Sequence, residues 1–229
     1  MQNRIISDVF FDLDHTLWDF EKNSGLTFQA ILNKNNIGVN IADFMVVYSR
    51  INYEYWELYR VDKITQEELR YGRLKDTFDE LDHEISDATI HLLSEEYIAH
   101  LPEFNYLYEG AIEVLEYLKP KYRLHIITNG FHKVQDLKLK NSAIDHYFDT
   151  VTDSESAGCK KPNPIIFKHA LQVANTQVEN SIMIGDCIVS DINASLSLGF
   201  DAIYFNEHNK EVAVGIKHIN NLLSLKTIL

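Results

Sequence analysis

Asp12, Asp14, Thr128, Lys161, Asp186 and Asp191 stand where they could do chemistry together in this 229-residue chain. Asp12 and Asp14 close the apolar run VFF, Thr128 closes LHIIT ahead of Asn129 and Gly130, Lys161 touches Pro162, and Asp186 and Asp191 follow SIMIG. Residues two apart in extended chain face the same side, so Asp12 and Asp14 would present both carboxylates together. If the carboxylates of these runs meet, each pair about 4 Å apart costs roughly 4 kcal/mol at an effective dielectric of 20. Lys161 offsets one negative charge, and a divalent cation offsets two more. Hard, all-oxygen ligands favour Mg²⁺ over zinc, which prefers His and Cys. A cation there would also let a phosphate dianion approach carboxylates that otherwise reject it.

These residues converge only if the apolar runs are neighbouring strands. Residues 5–11, 124–128, 181–185 and 202–205 are short, rich in β-branched and aromatic side chains, and separated by helical or loop sequence, with a weaker candidate at 147–152. That alternation predicts an α/β fold, a doubly wound parallel sheet, whose ligands bind at the carboxyl ends of the strands. Between the first run and Leu124 no comparable strand is found. Phe44, Val47, Ile51, Tyr55 and Leu58 recur at helical steps, and Thr65 with Glu68 forms a capping box ahead of Leu69, Leu74 and Phe78. Ser86 caps a further helix carrying Ile90, Leu93, Tyr97 and Leu101, which Pro102 stops. Residues 111–118 form the helix before the second strand. The expected organisation is a sheet domain of residues 1–16 and 105–229 with an all-helical insert at 17–104.

Lys and Arg number 21 against 34 for Asp and Glu, a net charge of −13, and the 10 His could not reverse it. Such a chain repels nucleic-acid polymers and anionic membranes. Two cysteines, Cys159 and Cys187, are too few for a disulfide framework, and no run approaches a membrane span or a signal peptide. The expectation is a cytoplasmic protein with a small-molecule ligand and no obligatory protein partner.

D-x-D-x-T alone arises by chance in about 3% of chains this long. Its conjunction with Thr128, Lys161-Pro162 and G-D-x-x-x-x-D, in that order and each beside an element boundary, resembles the haloacid dehalogenase superfamily of phosphohydrolases, in its class with a helical cap after the first motif. The resemblance covers the whole sheet domain. FFDLDHTLWDF, the Thr128–Phe131 turn TNGF, the Lys-Pro-Asn loop and Trp56-x-x-Tyr59 before Ile64-Thr65 are further similar to the pyrimidine 5′-nucleotidases.

The resemblance implies that Asp12 is the nucleophile, forming an aspartyl-phosphate, and that Asp14 is the general acid and base. It implies Mg²⁺ held by Asp12, Asp186 and the main-chain carbonyl of Asp14. Thr128 and the backbone N–H groups of Asn129 and Gly130 would cradle the phosphoryl group and Lys161 neutralise its charge, with Lys160 the competing lysine. Thr16 would shape the loop. Asp191 would order Lys161 or a metal-bound water, or else cap a helix starting at Ile192. Trp18, Trp56, Tyr59 and Arg60 would sort leaving groups, although aromatics at helical spacing are more often simply core. His15 would pack or hydrogen-bond locally, Cys159 and Cys187 would be small buried hydrophobes, and Lys138-Leu139-Lys140 would lie on a solvated helix face.

The substrate implied is a phosphate monoester, a nucleoside 5′-monophosphate first, with small sugar or organic phosphates (phosphoglycolate phosphatase-like, or a phosphomutase) as the alternative. Dehalogenation fits less well, because the dehalogenases lack the aspartate that Asp14 supplies. A receiver-type phospho-accepting switch groups similar residues but is about half this length and has no helical insert.

Overall fold

The apolar runs pair side by side in a computed structural model, which describes residues 5–229. Residues 1–4, placed in the sheet domain by the sequence reading, lie outside the described residues. Strands β1 (Asp8–Phe11), β2 (Arg123–Thr128), β3 (Thr150–Asp153), β4 (Ser181–Gly185), β5 (Asp201–Phe205) and β6 (His218–Ile219) form one sheet in the order β3-β2-β1-β4-β5-β6. Every neighbouring pair is parallel. Phe11 stands opposite Ile126 in β2 and Ile184 in β4, so the carboxyl ends of the three central strands share one edge.

The near-continuous apolar character of the central strands follows from burial on both faces. Phe10, Ile127 and Met183 pack against Ile166, Phe167 and Ala170 of a helix, while Val9, Phe11, Ile126 and Ile184 on the opposite side are equally buried. This is the doubly wound α/β architecture expected. The weaker strand is displaced: it starts at Thr150, because Asp145–Tyr147 turns as a 3₁₀ segment. β6 is two residues long, too short for periodicity to reveal.

Contacts divide the chain into Met1–Asp19 with Asn105–Leu229, and Phe20–Phe104. The first unit therefore runs on to Asp19, past the expected boundary at residue 16, because Trp18 bridges to Asp14 and Leu107. In it the helices are α5 (Ala111–Leu118), α6 (His132–Asn141), α7 (Ser154–Ala157), α8 (Pro164–Val173) and α9 (Ala194–Leu198), numbered after the four of the second unit.

That second unit is α1 (Phe20–Lys34), α2 (Ile41–Arg60), α3 (Gln66–Glu80) and α4 (Asp87–His100). Asn40 and Ser86 cap α2 and α4, and Thr65 with Glu68 makes the expected box at α3. Its core is aromatic: Phe28 lies 4.4 Å from Tyr97 and 4.5 Å from Tyr48, ring centre to ring centre. The buried face of α2 is Phe44, Tyr48, Ile51 and Asn52, and Leu58 lies outside. Hydropathy misses Asn52 because its partner supplies the compensation: its Oδ1 accepts from Arg73 Nη1 at 2.8 Å, and Arg73 is itself buried over the Tyr97 ring.

At the amino ends of β1 and β2, away from Asp12 and Thr128, Asp8 and His125 form a buried pair. Asp8 accepts from Ser7 Oγ at 2.6 Å, Thr176 Oγ1 at 2.7 Å and His125 Nε2 at 3.0 Å, and Arg123 lies 2.7 Å away. Burial alone would raise its carboxyl; these donors outweigh burial and hold it below the ordinary range. His125 is pushed down, chiefly by burial. Both groups bind protons less readily folded than unfolded, so both favour folding at higher pH. The His125 contribution is lost as pH falls below about 6.5 and that of Asp8 below about 4. In urea titrations from pH 7.5 to 5, the advantage of wild type over His125→Gln should shrink as pH falls; a difference independent of pH would show that His125 does not titrate with unfolding.

Candidate active site

Asp12 continues β1 by one residue, its N–H donating to the Ile184 carbonyl at 2.9 Å. The chain then winds tightly, with the Leu13 carbonyl accepting from the N–H groups of Leu17 and Trp18 and with His15 at φ 61°. On the neighbouring strand, β4 ends at Gly185, where a Cβ would stand 2.4 Å from Asp191 Oδ2. Only glycine admits that approach. Residues Ile188–Asn193 wind as a π-helix, and Asp191 Oδ2 accepts from the Cys187 N–H at 3.0 Å. Asp191 therefore sits within a helical turn, and the residue ahead of that turn is Cys187; the alternative of a cap for a helix starting at Ile192 is not what forms.

Oxygens of Asp12, Asp186 and Asp191 lie within 4.8 Å of one another. Lys161 answers them: its Nζ donates to Asp12 Oδ1 at 2.6 Å and to the Ile127 carbonyl at 2.7 Å, and lies 2.7 Å from Asp191 Oδ1. It is 2% exposed, whereas Lys160 is half-buried. Asn129 fixes the Lys161 loop at two points, accepting from the Lys161 N–H at 2.7 Å and donating to its carbonyl at 2.9 Å. That side-chain role was not read from the sequence. The Lys161–Pro162 peptide is cis.

One ammonium does not neutralise three carboxylates. Burial, then repulsion from Asp191 and Asp186, pushes Asp12 up to about 8 despite Lys161. Burial and Asp191 push Asp186 up to about 7. Lys161 is held above the usual lysine range by Asp12 and Asp191 even though burial opposes its charge. Such a cluster is chemically matched to a hard divalent cation, which would restore the ionised forms. Thr16 Oγ1 donates to Asp186 Oδ1 at 3.4 Å, joining the loop to the cluster.

The Asp14 side chain points elsewhere. Its Oδ1 lies 2.6 Å from Lys138 Nζ and its Oδ2 accepts from Gln135 Nε2 at 2.9 Å. Lys138 is 2% exposed, with its ammonium 4.2 Å from the centre of the buried Trp18 ring. The solvated face expected for Lys138 is thus a misreading. A signal existed: Phe131, Val134, Gln135, Lys138 and Leu139 follow the i, i+3, i+4, i+7, i+8 stripe of an inward helix face, with two polar residues on it.

Gln135 Nε2 also donates to Thr128 Oγ1, at 2.7 Å, and the Gly130 N–H donates to the same oxygen at 3.1 Å. Both lone pairs of the hydroxyl are then used, which leaves its proton to be donated. A Cβ on Gly130 would stand 2.4 Å from the Gln135 side chain, so glycine is needed there too. Trp56 and Tyr59, half-buried on α2, contact edge to face at 5.5 Å, and Arg60 pairs with Glu57. Both cysteines are free thiols, and Cys159 packs against the core beside α8.

Three clustered carboxylates, an ammonium and a polarised hydroxyl at the carboxyl ends of parallel strands suit transfer of an anionic group to an oxygen nucleophile. The model of the haloacid dehalogenase-like hydrolases matches residues 8–199, which takes in every residue of this constellation. The chain belongs to that family. As a haloacid dehalogenase-like hydrolase it is an enzyme, as the motifs implied, and the receiver-type alternative falls away. The pyrimidine 5′-nucleotidase YjjG of Escherichia coli is 31% identical over 209 residues, 91% of this chain and 89% of its own. The glyceraldehyde 3-phosphate phosphatase of Pyrococcus abyssi is 35% identical over 208 residues, 88% of this chain and 82% of its own. The magnesium-bound HAD-hydrolase YfnB of Bacillus subtilis superposes with a TM-score of 0.88 over 98% of both chains at 26% identity. No helix among the described residues of this hydrolase is long and apolar enough to cross a membrane.

Proposed function

We propose that this hydrolase is a Mg²⁺-dependent phosphomonoesterase acting through an aspartyl-phosphate on Asp12, with nucleoside 5′-monophosphates, pyrimidine ones first, as substrates. The observation that carries the reading is the buried Lys161 ammonium bonded at once to Asp12 and Asp191, inside a cluster still short of positive charge. Asp12, Asp186 and the Asp14 main-chain carbonyl would hold the cation, with Asp191 beside them. When bound, it keeps the carboxylates ionised and draws charge from the phosphoryl oxygens.

An Asp12 carboxylate oxygen attacks phosphorus in line; the bond to the ester oxygen breaks, and that oxygen leaves with its electron pair and takes a proton from Asp14. Water then attacks the phosphoryl group, gives its proton to Asp14, and the bond to Asp12 breaks to return the free carboxylate and phosphate. Thr128, through its unshared hydroxyl proton, and the Asn129 and Gly130 N–H groups cradle the phosphoryl oxygens, and Lys161 balances charge as it builds.

The similarity to YjjG supports the nucleotide reading, and that to the glyceraldehyde 3-phosphate phosphatase supports a second one, small sugar phosphates. Phosphate release from a panel of nucleoside monophosphates and sugar phosphates separates the two. Release should require Mg²⁺, vanish with chelator, return when Mg²⁺ is restored, and run fastest on UMP, CMP or dTMP. Turnover confined to sugar phosphates would keep the chemistry and overturn the nucleotide assignment; full activity in chelator would overturn the metal.

A further inference from the structure

We infer that Gln135 and Lys138 are positioning residues for the water-activating half of the reaction, a role that rests on the mechanism just proposed. The two carboxylate oxygens of Asp14 are each held by a different donor from one face of α6: Lys138 Nζ at 2.6 Å on Oδ1 and Gln135 Nε2 at 2.9 Å on Oδ2. Two donors from a rigid helix fix both the place and the rotation of the carboxylate plane. A carboxylate has about four lone-pair directions, so such a grip still leaves acceptor capacity for a water proton. The grip is itself backed, because Lys138 is buried against the fully buried indole of Trp18 and Gln135 is fully buried.

Gln135 further ties Asp14 to the phosphate cradle. Its amide nitrogen donates one hydrogen to Asp14 and the other to Thr128 Oγ1 at 2.7 Å, so one side chain sets the distance between the base and the group that holds the phosphoryl oxygens. The orientation of the amide is fixed by chemistry, since a carboxylate can only accept and the nitrogen must face it.

Lys138→Met and Gln135→Met remove the donors while keeping side-chain length. The probe is 4-nitrophenyl phosphate, whose leaving group needs no proton, followed by stopped flow in Mg²⁺. In Lys138→Met, which keeps the Gln135–Thr128 bond, formation of the phosphoryl-enzyme should keep close to its wild-type rate while its hydrolysis slows by about 10- to 100-fold, a part of what general base catalysis supplies; Gln135→Met also loses the bond to Thr128, so both steps slow, hydrolysis the more. Lys138→Met should therefore release a burst of one nitrophenolate per active site and then turn over slowly, with kcat and KM falling together and kcat/KM nearly unchanged. A side chain that merely supports the fold would lower kcat/KM and give no burst, and that result overturns the inference. Should Lys138→Met not fold, as judged by circular dichroism, Gln135→Met decides by the ratio of the two rates: hydrolysis slowed no more than formation overturns the inference. An inactive wild type, by contrast, would remove the phosphatase reading itself.

Discussion

Asp12→Asn is expected to abolish phosphate release, by about 10⁴-fold or more, the scale at which loss of a nucleophile acts. The substitution is close to isosteric, and its amide oxygen can still accept from Lys161, which now bonds Asp12 Oδ1 at 2.6 Å. What it removes is the attacking electron pair, because an amide does not displace an alkoxide from phosphorus. The same change replaces a carboxyl that burial, Asp191 and Asp186 hold up to about 8 with a neutral amide, so the cluster loses the repulsion that arises whenever Asp12 ionises. Without metal the variant should therefore melt no lower than wild type, in chelator at neutral pH. Loss of turnover with stability kept or raised identifies Asp12 as a reacting group that weakens the fold it sits in. Retained turnover would move the nucleophile elsewhere.

Lys161→Met is expected to act in the opposite sense on stability and the same sense on activity. The Lys161 ammonium spends its hydrogens on Asp12, Asp191 and the Ile127 carbonyl, in a position 2% exposed. Methionine fills the space and supplies none of them, so buried carboxylates lose their cation. Breaking a buried pair in this way costs about 3–5 kcal/mol, a fall in melting temperature on the order of 10 °C for a chain of this length. Mg²⁺ should recover part of that loss, since it supplies charge to the same cluster, and the recovery should exceed the rise it gives in wild type. Phosphate release should drop by about 10²- to 10³-fold, as for loss of a donor aimed at a developing oxyanion. A variant as stable as wild type in chelator would mean that Lys161 does not offset charge on Asp12 and Asp191.

The strands and the four reactive clusters were legible because their signals are local. A parallel strand buried on both faces is an unbroken apolar run, and the residue that follows it falls at the sheet edge whatever the rest of the chain does. SIMIG matched β4 residue for residue on that basis. For Gln135 and Lys138 the stripe showed burial but not purpose, for the complementary reason. Their meaning depends on Asp14 and Trp18, more than a hundred positions away in the chain, and the role of a polar residue on an apolar helix stripe stays hidden until its partner is known. Asn52 and Arg73 in the helical unit, and Asp8 with His125 below the sheet, are the same case: buried polar groups whose compensation is non-local. The helix-cap alternative for Asp191 stayed open for a narrower reason, since a π-helical turn has no hydropathy signature of its own.

β1 lies at the centre of the sheet and is made first, yet the strand on its far side, β4, pairs Ser181 with Asp8. A ribosome adding about 5–20 residues per second takes roughly 10 to 30 s to travel from one to the other. Throughout that interval Val9, Phe10 and Phe11 have an open hydrogen-bonding edge, and Asp12 has neither Lys161 nor Asp186 beside it. The nascent chain therefore carries no working centre until synthesis has passed Asp191, and fragments that stop before β4 should be both inert and prone to edge-to-edge association. Activity in this protein becomes a report that translation has passed β4 and Asp191.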